Sequence, residues 1–241
     1  MECILQSTVR FRFAEVAKLR YVWWLKVRGR IRSKMLSQDS TYAAYIVFKT
    51  THRHGHGLDY PPQEASITIA GSTSTHTVCL QYNRSHRHEF AGNLALFPNK
   101  RTDGWMELEM GQFYNKDGDD GERRLRDACH AAAVSPAFRA AADSDAVWAC
   151  FVPRDVPPLA DGELSPAPPS KKALFTRLCD SPVRLADGLT SMWLDRETGA
   201  KCYMLSARAL CIIWGDIPCD WGWVPITGSR PAELPAFVRD S

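Results

Sequence analysis

Short apolar runs of period two stand at both ends of this chain, and the middle between them cannot be strand. Thr41 to Lys49 (TYAAYIVFK) is dense in aromatic and β-branched residues, which suit a pleated, half-buried surface. Over Tyr21 to Ile31, Tyr21, Trp23, Leu25, Val27, Gly29 and Ile31 alternate with Val22, Trp24, Lys26, Arg28 and Arg30, which predicts a half-buried strand with the basic side chains on the wet face. Ala65 to Ile69, Thr77 to Gln81 and Trp105 to Leu108 continue the strand pattern up to the turn-rich Asn115 to Gly121 (NKDGDDG). Beyond the middle, Gly188 to Leu194, Cys202 to Leu205, Cys211 to Trp214 and Trp221 to Ile226 resume it. Short strands bounded by Gly, Pro and Asn clusters predict a mostly β fold of the sandwich kind.

The middle differs in kind. Glu122 to Ala142 is Ala-rich and helical, interrupted at Ser135-Pro136, where proline suits the first position of a new helix. Asp143 and Ser144 are placed to cap a short helix that carries Val147, Trp148 and Phe151. Pro157 to Pro169 (PPLADGELSPAPP) reads as a linker without a core-forming pattern. Lys171 to Cys179 predicts a helix that packs Leu174, Phe175 and Leu178.

Several function classes are disfavoured. The formal charge of +3 on 241 residues gives no reason to expect nucleic acid or an acidic membrane as main partner. No apolar run approaches the roughly 20 residues of a spanning helix. The eight cysteines are scattered and form no CxxC pair, so no zinc site is indicated. Without a signal-peptide pattern at the N-terminus they read as free thiols in the cytosol or nucleus. His52, His54 and His56, with His86 and His88, lie in loop-like stretches and read as solvated. No nucleophile elbow, phosphate loop, zinc-protease or dinucleotide motif is present, so neither a metal, a cofactor nor a catalytic residue is assigned. Glu107 and Glu109 share a strand face. A hydrolase pair flanks a cleft from different elements, so these two read as a solvated strand face and the protein as a non-enzyme.

Aromatic residues are the positive signal. Sugars bind through their C–H faces on aromatic rings, with hydrogen bonds to hydroxyls from a few polar groups. Trp214, Trp221 and Trp223 surround the turn-like Gly215-Asp216-Ile217-Pro218, and Asp216 is a candidate hydroxyl acceptor. Trp221 and Trp223 are in phase on one strand and face the same side. If that side is the core, neither can be a platform.

Lys171 to Glu233 resembles the first half of the lectin domain in plant F-box proteins with a phloem-protein-2-type (Nictaba-like) lectin domain. The residues are LFTRLCDSPVRLADG (174–188), SMWLDRETGAKCYMLSARAL (191–210) and IIWGDIPCDWGWVP (212–225). Phe11 to Gly121 resembles the second half, through RFAEVAKL, WWLKVRGRI, KMLSQDSTYAAYIVFK and DGWMELEMGQF. Asp127 to Pro153 resembles later helices of the family's F-box. The resemblance implies four parts: a second lectin half over 11–121, a partial F-box over 122–156, the Pro-rich linker over 157–170, and a first lectin half over 171–241. That order is rearranged relative to the family, and the first F-box helix and final lectin strands are absent from it. Arg12 to Leu19 (RFAEVAKL) is echoed by Arg230 to Phe237 (RPAELPAF), as in a slice through two tandem copies.

The resemblance further implies a carbohydrate-binding protein with Trp214 and Trp221 in the sugar site and N-acetylglucosamine oligomers or N-glycans as ligands. It also implies a substrate adaptor role in a cullin-type ubiquitin ligase. Ala137, Phe138, Val147, Trp148 and Phe151 would then face the Skp adaptor. The alternative is a non-functional fragment or mispredicted product of tandem F-box lectin genes. The two halves can also pair within one chain, as in a circular permutant, because loop closure costs only about 0.6 kcal/mol per doubling of length.

Overall fold

The computed structural model describes residues 2–3, 13–50, 58, 61–81, 95–116, 144–225 and 237–239. Residues 122–142, expected to be helical, lie outside them, as do the five loop histidines. Before that gap the strands are β1 (Glu2–Cys3), β2 (Glu15–Leu19), β3 (Val27–Arg28), β4 (Ser40–Thr50), β5 (Gln63–Ile69), β6 (Ser72–Val78), β7 (Asn99–Lys100) and β8 (Met106–Asn115). After it come helices α1 (Asp145–Trp148) and α2 (Lys171–Asp180), then strands β9 (Val183–Arg184), β10 (Thr190–Leu194), β11 (Lys201–Leu205), β12 (Cys211–Ile212), β13 (Trp221–Pro225) and β14 (Phe237–Arg239). The fold is mostly β, as the patterning predicts. Its strands fall into one seven-stranded sheet and three smaller ones.

The long pair β4–β8 is the centre of the large sheet. It runs antiparallel from Ser40 opposite Asn115 to Phe48 opposite Met106, with a bulge at Ala44/Tyr45. Gly111 sits at that bulge with φ +139. A Cβ there would lie 3.0 Å from the His76 ring, so glycine lets β6 close over the sheet. The β5–β6 hairpin turns on Ala70 and Gly71, both at positive φ, the conformation of a tight two-residue hairpin loop. The full sheet order is β13-β2-β14-β4-β8-β7, with β1 on β4.

The two ends of the chain meet. β13 pairs antiparallel with β2 from Trp221 opposite Leu19 to Pro225 opposite Glu15, and β12 pairs with β3. Two cores lie across this junction. One gathers Leu36 and Tyr42 with Trp148, Phe175, Leu178, Met192, Trp193 and Tyr203. The other gathers Ala17, Leu19, Phe48 and Leu108 with Ala207 and Trp221.

A polar clasp sits beside the first core, around the loop 35–37. Tyr203 Oη donates to the Met35 carbonyl at 2.6 Å. The Ser37 amide donates to Tyr42 Oη at 2.8 Å, and the Lys201 amide to Ser37 Oγ at 3.0 Å. The amide of the buried Asn115 side chain donates to the Ser37 carbonyl at 3.0 Å. Burial raises the Tyr203 phenol well above its ordinary range, so it remains a donor.

Three expectations need correction. The strand over 21–31 shrinks to Val27–Arg28; residues 21–26 form no strand, because β2 already pairs with β13 and the chain leaves the sheet after it. The Pro-rich stretch is packed. Val156, Leu159 and Leu164 pack against the first core, and the buried Glu163 pairs with Arg184 at 3.1 Å. The few apolar residues between its prolines suffice, since a strap needs anchors rather than a periodic pattern. Trp148 and Phe151, expected to face an adaptor, are also core residues. The Trp148 ring meets Phe151 at 5.8 Å and Phe175 of α2 at 5.4 Å. Val147 is half-buried, and Ala137 and Phe138 lie outside the described residues.

α2 itself is set by its ends and its inner face. Ser170 Oγ accepts from the Ala173 amide at 3.1 Å and caps the first turn. Phe175 and Leu178, three residues apart, face β10, whose five residues are all buried.

Tyr203→Phe leaves the Met35 carbonyl without that donor and is expected to cost about 1–3 kcal/mol. Leu178→Ala, which opens a cavity in the first core, is expected to cost about 2–5 kcal/mol. Urea denaturation of the two variants measures both.

Candidate functional site

Two loops face one another where the chain leaves the β2–β13 ladder. The amides of Arg20 and Tyr21 donate to the Asp220 carbonyl at 2.9 and 3.3 Å. The Ile213 amide donates to the Lys26 carbonyl at 3.0 Å. Residues 20–26 are thereby laced to residues 212–220. The second loop is built from successive turns, with the Gly215 amide on the Ile212 carbonyl and the Ile217 amide on the Trp214 carbonyl.

The loops display aromatic rings. Trp23 is 81% exposed, Tyr21 58% and Trp24 57%. Tyr21 and Trp23 meet edge-to-face, with centroids 5.9 Å apart. Trp24 crosses to Trp214 of the opposite loop at 4.5 Å, the planes tilted by 57°. Trp214 holds φ +55, a left-handed conformation that costs a bulky residue about 1–2 kcal/mol. Strain of this kind persists only where the surroundings impose it, and it clusters at functional sites. Asp216, two residues on, is exposed.

The four residues expected in a sugar site separate. Asp216 is exposed on its loop, and Trp214 on the same loop is half-buried, packed in part against the second core. Trp221 is 2% exposed. Its indole N–H donates to the Ile213 carbonyl at 3.1 Å, so its ring is a core strut and offers no face to a ligand. Trp223, in phase with Trp221, is half-buried against the same core, and the Arg208 guanidinium lies over its ring at 3.6 Å. The platform reading fails for Trp221 because the side of β13 that bears it is the core side, and for Trp223 because its free face is already taken. Trp24, Trp23 and Tyr21 complete the exposed set. The period-two spacing of Tyr21 and Trp23 disguised them as strand residues; the available signal was the run of adjacent rings Trp23-Trp24, which no half-buried strand needs.

The two carboxylates of β8 are held in separate surroundings. Glu109 accepts from Tyr45 Oη at 3.1 Å and from the Gln112 amide at 3.0 Å. Glu107 is only partly exposed. Burial raises its pKa, against the lowering effect of Arg101, whose Nη1 stands 3.8 Å away. Neither is the freely solvated group expected of an outer strand face. Among the described residues no cluster of His, Cys, Asp and Glu is arranged to hold a metal ion. No helix among them is long and apolar enough to cross a membrane.

Comparison with known proteins gives this geometry its family. The family described as Phloem protein 2 matches residues 4–130 and 200–239, which include both β2 and β13 and both facing loops. The chain belongs to the phloem protein 2 family. It is 47% identical over 112 residues to putative F-box protein PP2-B12 of Arabidopsis thaliana, covering 46% of this chain and 44% of that protein. It is 45% identical over 119 residues to F-box protein PP2-B10 of the same plant, covering 48% and 41%. F-box protein SKIP3, also from Arabidopsis thaliana, is 40% identical over 118 residues, covering 48% and 38%. The chain thus spans less than half the length of these relatives.

Trp221→Ala is expected to cost about 3–5 kcal/mol of stability as a core truncation. Trp24→Ala, which loses one exposed ring contact, should cost less than about 1.5 kcal/mol. Denaturation midpoints of the two variants separate strut from display residue. For Glu107, a raised native pKa means that its contribution to stability is present below the ordinary carboxylate range and is lost as pH rises through the raised value. Glu107→Gln should therefore be more stable than the parent at neutral pH, with the gap closing in acid; thermal melts across pH measure it.

Proposed function

We propose that this protein is a non-catalytic carbohydrate-binding protein of lectin type, acting in the cytosol or nucleus. The observation that carries the reading is the pair Trp24–Trp214, contributed by both ends of the chain, with Trp214 strained and Trp24 following on from the exposed Tyr21 and Trp23. Tilted, partly exposed indoles suit the C–H faces of a sugar, and Asp216 beside them suits its hydroxyls. The ligands are N-acetylglucosamine oligomers or N-glycans, in keeping with the family. Burial pushes the Cys179 thiol up to about 12, so it stays protonated and unreactive.

A second reading, a substrate adaptor of a cullin-type ubiquitin ligase, is favoured by the F-box names of the relatives. Trp148 and Phe151 are occupied in the core, so binding of a Skp adaptor through them would require their release. Pull-down with purified Skp tests this reading, and failure to recover it would discard the adaptor role. A non-functional fragment, by contrast, would show no cooperative melt.

The lectin reading predicts a cooperative thermal transition that rises with N-acetylglucosamine oligomers, by the stabilisation a ligand confers when it binds only the folded state. Trp24→Ala should melt near the parent temperature and lose the ligand-dependent rise. A folded parent with no rise for any glycan on a broad array would refute the reading.

A further inference from the structure

The exposed rings continue into a lane of positive charge. Arg20, Lys26, Arg28, Arg30, Arg32 and Lys34 lie within residues 20–34, with no Asp or Glu among them. All six are exposed. The whole chain carries only +3, so this is a local concentration rather than a general basicity. Its place is fixed by the fold. Arg28 pairs across to Cys211 in the β3–β12 ladder. Gly29 is pressed so close to Leu205 and Leu210 that a Cβ would lie 3.0 and 3.2 Å from them. Gly29 thus faces the 205–210 segment, and its neighbours Arg28 and Arg30 turn to the opposite, solvent side.

A further basic group, Arg208, is held at the Glu15 end of the β2–β13 ladder. Its guanidinium stacks on Trp223 at 3.6 Å. Its Nε and Nη2 donate to Glu15 Oε2 at 3.2 and 2.9 Å, which leaves Nη1 for another acceptor. A guanidinium immobilised by a ring and a carboxylate loses little further freedom when it binds an anion. The aromatic end and the basic end are close: the four residues from Trp24 to Arg28 span no more than about 14 Å of chain.

We propose that the site takes an acidic oligosaccharide, one bearing carboxylates as uronic acids do. A sugar ring lies at Trp24 and Trp214, and the carboxylates of neighbouring units meet Arg28 and Arg30. This rests on the carbohydrate reading above and extends its ligands to sugars that carry negative charge. An anionic bilayer offers the same charge and accepts exposed tryptophans. It fits less well, because Asp216 stands exposed beside Trp214 and would be driven against the lipid phosphates, whereas a sugar hydroxyl can donate to it. The fixed tilt of Trp24 against Trp214 likewise suits a discrete ligand.

The test is calorimetric titration of the full chain with a tetramer of galacturonic acid and with a tetramer of N-acetylglucosamine, at low and high salt. Phosphatidylserine vesicles and inorganic polyphosphate serve as competitors. The acidic tetramer is expected to bind about tenfold more tightly at low salt, a preference that shrinks as salt screens the charges. Arg28→Gln with Arg30→Gln should erase the preference, leaving affinity for the neutral tetramer and the melting temperature unchanged. The salt dependence of the parent protein decides the matter even if that variant folds poorly. Equal affinity for the two tetramers would overturn the proposal and leave the carbohydrate reading standing. Binding of neither would remove both. Displacement by vesicles or by polyphosphate as effective as by the acidic sugar would overturn it in favour of a lipid surface or of unselective polyanion binding.

Discussion

The β2–β13 ladder is the contact on which the rest of the molecule depends. Five residue pairs, from Glu15 opposite Pro225 to Leu19 opposite Trp221, join segments about two hundred residues apart in the chain. Without it, Trp221 would have no core to enter, and the loops at 20–26 and 212–220 would not be laced through the Asp220 carbonyl. The ladder can form because the long intervening chain adds only a slowly growing entropic cost to closure, while Val16, Ala17 and Leu19 on one strand and Trp221 on the other are buried. Ala17, Leu19 and Trp221 enter one core; Val16 packs with Trp105 in a small third cluster.

A second set of contacts keeps the ladder from being an isolated strand pair. The loop at 35–37 is held through its carbonyls and through Ser37 Oγ by donors from Asn115, Lys201 and Tyr203, the first from β8 and the other two from β11. These donors are buried or nearly so, and buried polar groups left unmatched are costly. The clasp therefore favours one relative placement of the two ends, where apolar packing alone would tolerate several. The buried Lys201 adds to it, its ammonium pairing with Asp155 at 2.5 Å and so tying the approach to the Pro-rich strap onto β11.

The division of labour among the tryptophans follows from this frame. Trp221 and Trp148 are struts, one in each main core. Trp223 is a bed for Arg208. Trp24 and Trp214 are left facing each other across two loops, and Trp23 stands in solvent. Residues of one type in one short stretch thus hold different roles, because β13 has a core side and the turn that precedes it has none. The strain at Trp214 belongs to the same arrangement: its backbone conformation turns the loop back toward residues 20–26.

Much of the architecture was legible in the residues. The β4 run, the β10 and β11 strands, the helix from Lys171 and the predominance of strand follow from local periodicity and from β-branched and aromatic content, which act over a few residues and need no partner. The family was legible too, through long stretches such as SMWLDRETGAKCYML. Local pattern could not decide which alternating stretch would find a partner. Residues 21–31 have strand spacing, yet most of them lie outside any sheet, because pairing is a property of two segments and the neighbouring edge was already occupied. Nor could it decide which of two tryptophans in phase would be covered, or that a proline-rich stretch would be drawn onto a core. Burial is settled by what lies opposite in space, and here what lies opposite comes from the other end of the chain.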